Sequence, residues 1–239
     1  METAATILDE PVPIPLEIEK FDWEIYKDRL RVVALGDSTT ETGGLERSKR
    51  WTGILESFLG QQSLVVNSGI GATSSNLGLF RWHRDVSPVK PHYVIVNFLL
   101  NDSHIRHYEC RSSYVVQCTA DRVYANLRCM FDLAEAMRCS LILWTPPPVP
   151  EWPDTFKSPA HLNIQLELCN HYVRVIERVA SDLCIPLVNL WKTFPTLVKE
   201  YPGPYFNRPD GYHSNALSQP IIAKEIERTI SEKTVKNNA

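Results

Sequence analysis

The stretch Val32-Val33-Ala34-Leu35-Gly36-Asp37-Ser38-Thr39-Thr40 decides how the rest of the chain is read. Its apolar, partly β-branched half has the make-up of a buried strand, and it stops at a glycine followed at once by an Asp-Ser pair. A strand that empties into a tight turn presents its next polar side chains at the carboxyl edge of a sheet, where open α/β folds bind ligands. Ser38 is on that ground a candidate nucleophile. Gly, Asp and Ser are also ordinary turn residues for backbone reasons alone. The remaining chain has to supply what a lone serine lacks: a base, an orienting acid and donors for an oxyanion.

Bulk composition narrows the class. The 239 residues suffice for one α/β domain. Hydrophobic residues at 44% and charged residues at 22% fit a soluble globular protein with a sizeable core. A net charge of −3 lacks the basic footprint of a nucleic-acid-binding protein. No run approaches the roughly 20 apolar residues that span a bilayer. Met1-Glu2-Thr3-Ala4-Ala5 sets no basic region ahead of an apolar core, so it does not read as a secretory signal. Cys110, Cys118, Cys129, Cys139, Cys169 and Cys184 are widely spaced, without a Cys-x-x-Cys pair. They are expected as reduced, mostly buried thiols of a cytoplasmic protein.

Taken in order, residues 1–29 form an acidic lead-in with Pro11, Pro13 and Pro15, expected on the surface or partly disordered. Residues 30–232 read as one domain and 233–239 as a frayed tail. Strands are expected at Leu30–Leu35, Ser63–Asn67, Tyr93–Phe98, Leu141–Trp144 and Pro186–Leu190. Helices are expected near Trp51–Leu59, Ser74–Phe80, Ala120–Met137, Leu162–Leu183, Thr193–Lys199 and Ser214–Ile230, with an irregular polar loop after Asp102. Five alternations of strand and helix predict a three-layer α/β/α fold. Its five-stranded parallel sheet would have the flavodoxin-like order, with the first strand central. In that order the turns at Ser38, Gly69 and Asn101 converge on one sheet edge.

A serine hydroxyl needs a base to take its proton, and the base needs an orienting partner. His213 lies in Pro209-Asp210-Gly211-Tyr212-His213-Ser214, just before the last expected helix. On a tight loop this spacing lets Asp210 reach one imidazole nitrogen and leaves the other facing the cleft. The plainer reading is a solvated loop in which Ser214 or Asn215 caps the helix.

Gly36-Asp37-Ser38, Gly69, Asn101-Asp102 and Asp210-x-x-His213 fall in the order of the four blocks of the SGNH/GDSL hydrolase family, which the chain resembles from Arg31 to about Ala223. Within that family it is most similar to the isoamyl acetate-hydrolysing esterase group, through Thr145-Pro146-Pro147-Pro148, Asn163, Leu187-Val188-Asn189-Leu190-Trp191 and Asp210-Gly211-Tyr212-His213. The resemblance implies a Ser38–His213–Asp210 triad acting through an acyl-enzyme on small carboxylic esters, with no cofactor. It implies an oxyanion hole built from the N–H of Ser38, the N–H of Gly69 and the amide of Asn101. Asp37 and Asp102 would tie turns by accepting backbone N–H bonds. One departure stands out. The family's third block usually begins with glycine, and here that position is Leu99, whose side chain would project into or beneath the pocket.

Other features carry less. His104-x-x-His107 resembles half of a metal site but has no third ligand placed by spacing, so no metal is expected. Gly69-x-Gly71 lacks the full dinucleotide fingerprint. Cys110 and Cys118 have no fixed base nearby. Trp152, Phe156, Tyr205 and Phe206 lie in loops that border the cleft, either as substrate-pocket walls or as loop packing. The resulting expectation is a serine esterase with a small-molecule substrate. An acyltransferase or biosynthetic tailoring enzyme with the same triad is the first alternative, and a non-catalytic binding module the second. Neither a nucleic-acid partner nor a membrane span is expected, and the sequence leaves the oligomeric state open.

Overall fold

A computed structural model of the chain describes residues 12–108, 113–149, 159–199, 203–206 and 213–237. Two short helices, α1 (Leu16–Glu19) and α2 (Trp23–Tyr26), precede β1 (Leu30–Gly36). Then come α3 (Ser38–Glu41), α4 (Trp51–Leu59), β2 (Ser63–Gly69), α5 (Ser75–Phe80), α6 (Trp82–Asp85), β3 (Tyr93–Asn97) and α7 (Leu99–Asp102). The remaining elements are β4 (Ile105–Tyr108), β5 (Ser113–Val116), α8 (Ala120–Ala136), β6 (Ser140–Thr145), α9 (Pro159–Asp182), β7 (Leu187–Asn189), α10 (Leu190–Leu197) and α11 (Gln219–Asn237).

The main sheet has the order β2-β1-β3-β6-β7, and every pairing in it is parallel. This is the expected order, with β1 between β2 and β3. Side chains alternate across a strand, so one apolar run feeds two cores. Val33, Leu35, Val66, Val94, Val96 and Leu143 face α8 and α9, where Val123, Leu127, Met130, Tyr172 and Ile176 meet them. Val32, Ala34, Val65, Ile95, Ile142 and Trp144 face the other way, towards Trp51 and Leu55 of α4, Phe194 of α10, and Ile222 and Ile226 of α11. The middle of each central strand, Val32–Leu35 of β1 and Tyr93–Val96 of β3, is continuously apolar because both faces are covered.

Two local expectations are corrected. The loop after Asp102 contains an antiparallel hairpin, β4 with β5. Its strings Ile105-Arg106-His107-Tyr108 and Ser113-Tyr114-Val115-Val116 are four residues each, too short for periodicity to separate a strand from a loop. The last helix begins at Gln219, not Ser214. Asn215 Oδ1 accepts the Leu217 N–H at 2.9 Å and the Asn215 carbonyl accepts the Ser218 N–H at 3.2 Å, so a local turn takes the groups a helix would use.

The free edge of β2 is closed by side chains, a common way of blunting an edge strand. Glu56 accepts the Val65 N–H at 2.8 Å, Arg47 donates to the Val65 carbonyl at 3.1 Å, and Glu17 of α1 accepts the Asn67 N–H at 2.7 Å. The segment carrying α1 and α2 is held over this edge. Arg84 donates to the carbonyls of Val12 and Pro13, and the Arg31 guanidinium and the Lys90 ammonium both lie over the Trp23 ring. Among the described residues no helix is long and apolar enough to cross a membrane.

Candidate active site

β1 ends at Gly36, opposite Gly69 of β2 and Asn97 of β3, and α3 starts two residues later at Ser38. The short helix sits directly on the strand ends, and two glycines make that possible. A Cβ on Gly36 would lie 2.1 Å from Thr40 Oγ1, and one on Gly69 would lie 2.1 Å from the Glu41 nitrogen. Both glycines are there for close approach of backbone.

Four groups then fix α3. Asp37 caps it by accepting from the Thr39 N–H at 2.9 Å and from Thr39 Oγ1 at 2.6 Å. Asn97 Nδ2 donates to Thr39 Oγ1 at 2.8 Å, and Asn67 Nδ2 donates to the Thr40 carbonyl at 2.7 Å. Trp51 Nε1 donates to the Thr39 carbonyl at 3.3 Å. The helix closes at Thr42, a buried β-branched residue in the left-handed region with φ of 48°, a strained conformation of the kind that clusters at active sites.

The structure brings His213 to Ser38 across 175 residues of sequence, with Nε2 and Oγ 2.8 Å apart. That is hydrogen-bond reach for a base and its nucleophile. The loop carrying His213 is tied on two sides. Ser214 forms an antiparallel bridge with Phe206, and the Tyr205 carbonyl accepts from the Asn215 N–H at 3.0 Å and from Ser218 Oγ at 3.1 Å. Gln219, fully buried, donates Nε2 to the Ser214 carbonyl at 3.1 Å and accepts the Trp51 N–H on Oε1 at 3.0 Å. Trp51 and Gln219 thus join the backbone next to Ser38 to the backbone next to His213. Asp210 lies outside the described residues.

Asn101, on α7, donates Nδ2 to Asp37 Oδ2 at 3.0 Å, which leaves its second amide hydrogen for another acceptor. Among the described residues no acceptor takes the Ser38 N–H. Gly69 is different. Its N–H donates to Asn67 Oδ1 at 2.9 Å, so the donor that the sequence reading places in the oxyanion hole is already used inside the turn. The glycine beside Ser38 is Gly71, where a Cβ would stand 3.8 Å from Ser38 Cβ. Its N–H donates to Glu41 Oε2 at 2.7 Å.

Burial dominates the electrostatics beneath the site. Asp37 is fully buried, and desolvation pushes its carboxyl above the ordinary range, against hydrogen bonds from Thr39 and Asn101 and the attraction of His213. Burial pushes Asp102 up to about 7, opposed by its bonds from Ser75 and reinforced by the charge of Asp37. Asp102 Oδ1 accepts the Ser75 N–H at 2.8 Å and so ties the start of α5 to α7. Below β1, the buried Arg81 donates to the Gly36 carbonyl at 2.7 Å, to Ser68 Oγ at 2.7 Å and to Asp85 at 2.5 Å. The buried guanidinium is paired with Asp85, yet burial still pulls it below the ordinary arginine value, and its Nε has no partner among the described residues.

A cavity of about 270 Å³ is lined by Ser38, Thr39, Glu41, Thr42, Gly43, Leu45, His213 and Ser214. Leu99 is absent from this lining. It is 1% exposed and packed in the core among Val96, Leu127 and Leu143, in an ordinary helical position, so its role is packing beneath the turn. Tyr205 packs edge-on against Phe194 with ring centroids 5.4 Å apart, and Phe206 contributes its backbone bridge to Ser214. Trp152, Phe156 and Cys110 fall outside the described residues. Among the described residues no three His, Cys, Asp or Glu side chains are grouped as a metal site requires. The residues that sequence reasoning did not single out are Thr39, Asn67, Asn97, Trp51, Gln219 and Arg81. Only the two asparagines carried a signal, as polar residues at the ends of apolar strands.

The model of the GDSL-like Lipase/Acylhydrolase family matches residues 34–218. Among solved structures, the acetyl xylan esterase AlAXEase is similar, with a TM-score of 0.65 and 21% identity over 82% of this chain and 97% of that one. A catalytic mutant of Axe2, an acetylxylan esterase from Geobacillus stearothermophilus, has a TM-score of 0.64 at 22% identity over 84% and 93%. TesA has a TM-score of 0.59 at 22% identity over 84% and 97%. At these identities the likenesses speak for the fold. No curated protein sequence matches the chain. With the family match covering most of the chain and the strand order it requires in place, the protein belongs to the GDSL-like lipase/acylhydrolase family and is a carboxylic ester hydrolase.

Proposed function

We propose that the protein hydrolyses small carboxylic esters through an acyl-enzyme, with Ser38 as nucleophile, His213 as base and then acid, and Asp210 as the orienting carboxylate. The observation that carries this reading is the 2.8 Å contact between His213 Nε2 and Ser38 Oγ. As Ser38 Oγ attacks the ester carbonyl, its proton passes to His213 Nε2 and a tetrahedral oxyanion forms. On collapse the carbon–oxygen bond to the alcohol breaks and His213 returns the proton to the departing oxygen. Water then repeats the sequence on the acyl-serine, releasing the acid.

The oxyanion donors in this reading are the Ser38 N–H and the remaining amide hydrogen of Asn101, held in place by Asp37. Gly69 is left out because Asn67 occupies its N–H. Trp152 and Phe156 remain proposed pocket walls. The motifs Thr145-Pro146-Pro147-Pro148 and Asp210-Gly211-Tyr212-His213 support a place near the isoamyl acetate-hydrolysing esterases. The named activity of the two acetylxylan esterases likewise supports a short acyl group. The dispersed cysteines support a cytoplasmic setting.

The test is Ser38→Ala with p-nitrophenyl acetate, together with peptide mapping after fluorophosphonate labelling. Turnover should vanish while the melting temperature holds, and the label should sit on Ser38. Unchanged turnover, or a label elsewhere, overturns the assignment.

A further inference from the structure

The cavity that Ser38 and His213 line is polar. Leu45 is the one apolar side chain in its described lining, and about 270 Å³ is room for a group of a few heavy atoms. Its one carboxylate among the described residues is Glu41.

Glu41 ends α3, three residues after Ser38, and its carboxylate is held on one side only. Oε2 accepts the Gly71 N–H at 2.7 Å. A Cβ built on Gly71 would stand 3.1 Å from that oxygen and 3.8 Å from Ser38 Cβ, so the carboxylate lies beside the serine. Oε1 lies on the side of Gly43, where a Cβ would stand 3.9 Å from it and meet nothing else within 4 Å. Gly43 is exposed and belongs to the same lining, so Oε1 faces the cavity. Among the described residues Oε1 accepts no hydrogen bond and Glu41 has no ion pair. Arg47 is bound to Glu17 and Glu56, and Arg50 donates its Nε to the Leu45 carbonyl.

Thr42 supplies a second observation. It lines the cavity at 7% exposure, and its Oγ1 is sheltered from water without a hydrogen-bond partner among the described residues. Thr39, by contrast, commits its hydroxyl to Asp37 and Asn97. One wall of the cavity therefore carries a carboxylate oxygen and a hydroxyl that the described residues leave unsatisfied, a surface suited to a ligand that brings its own donors.

We infer that Glu41 is a specificity-determining residue, whose Oε1 accepts a hydrogen bond from a hydroxyl on the alcohol part of the ester. The small cavity places that hydroxyl two or three carbons from the ester oxygen. The alcohol part is assigned by His213, which lines the cavity and has to stand against the departing oxygen that it protonates. A hydroxylated alcohol satisfies Oε1, whereas an alkyl group of equal size displaces water from it and offers no donor in return. The inference rests on the proposed roles of Ser38 and His213.

The experiment uses isosteric pairs of acetate esters: 2-hydroxyethyl against propyl acetate, and 3-hydroxypropyl against butyl acetate. The reading is the ratio of kcat/KM within a pair, in which any change to the shared chemistry cancels. Glu41→Gln should lower the ratio of hydroxylated to alkyl ester by about tenfold or more in at least one pair. In that variant the amide oxygen has to take the Gly71 N–H, which turns the amide donor towards the cavity in place of the acceptor. A purely structural role for Glu41 would slow both members alike and leave the ratio in place. Gly43→Ala is the second variant. Gly43 lies outside the left-handed region, and the added methyl covers Oε1 at ordinary contact distance without removing the Gly71 bond, so the ratio should fall in the same direction. An unchanged ratio in Glu41→Gln overturns the inference; if that protein does not fold, an unchanged ratio in Gly43→Ala does. Saturation-transfer NMR of the Ser38→Ala protein with 2-hydroxyethyl and propyl acetate separates this from the catalytic reading. Stronger transfer to the hydroxylated ester, lost in Ser38→Ala/Glu41→Gln, supports Glu41 as its acceptor even if turnover survives Ser38→Ala, and equal transfer to both esters refutes it.

Discussion

Replacing Gln219 by leucine tests whether the two halves of the site are held together from behind. The wild-type amide makes two buried bonds, from the Trp51 N–H to Oε1 at 3.0 Å and from Nε2 to the Ser214 carbonyl at 3.1 Å. Leucine has similar bulk and keeps the site filled, so the change isolates the polar link. The change strands the Trp51 N–H and the Ser214 carbonyl, at about 1–3 kcal/mol each where water does not reach them. A stability loss of about 2–6 kcal/mol follows, read as a fall in the denaturation midpoint at constant slope.

The kinetic consequence is separate. Ser214 is freed on the residue next to His213, so the 2.8 Å contact with Ser38 is no longer set by the α4 backbone. General-base catalysis is worth about 10²- to 10⁴-fold, and partial loss of its geometry should lower kcat for p-nitrophenyl acetate by about tenfold or more with little change in KM. Gln219→Glu serves as a control. Its carboxylate still accepts from Trp51 but cannot donate to Ser214 at neutral pH, so activity should stay low. If Gln219→Leu loses stability as stated while kcat stays within twofold of the parent, the bridge supports the fold but does not place His213.

Asp102→Asn should change the pH dependence of stability. The folded-state pKa of Asp102 is raised to about 7, so its contribution is most favourable below the unfolded-state value and is lost as pH rises to about 7. The asparagine retains an acceptor for the Ser75 N–H, so its stability relative to the parent should rise between about pH 4 and pH 7 and then level off; thermal melts showing a constant difference would contradict this. Leu99→Ala should cost about 2–5 kcal/mol in chemical denaturation, as for other fully buried leucines, while p-nitrophenyl acetate kinetics stay close to the parent. A changed acyl-chain preference without a loss of stability would return Leu99 to the pocket wall.

The fold was legible because its signals are long. The strands of the main sheet are built around apolar runs, and the order of the runs leaves few topologies. The β4–β5 hairpin was not legible, since its stability comes from pairing that no four-residue window contains. At the site, Ser38 and His213 stood out by residue type and local spacing, and the structure brings them together. Gly69 was legible as a required glycine but not for its reason. A sequence shows that a side chain is excluded, and only coordinates show whether what excludes it is a substrate or, as here, the backbone of Glu41. Gln219 was invisible, because an amide in the first turn of a helix looks like an ordinary surface residue until both of its partners are located.

The supports of Ser38 and His213, the proposed nucleophile and base, differ in kind. Ser38 stands on a helix pinned through Asp37, Asn67, Asn97 and Trp51, and those residues lie on or against the sheet itself. Arg81 adds a further hold from below on the Gly36 carbonyl. His213 stands on a loop whose ties run through Tyr205, Phe206, Asn215 and Gln219, outside the strands. Local openings have free energies set by the contacts they break, and loop ties break before sheet contacts. Departures from the productive geometry should therefore begin with the imidazole moving off the hydroxyl, while the serine turn stays in place. Substitutions in the loop supports would then lower kcat well before they unfold the protein, and substitutions beneath Ser38 would register first as lost stability. The asymmetry suits the proposed reaction, in which the base would turn from the attacking hydroxyl to the departing alcohol while the nucleophile keeps its position.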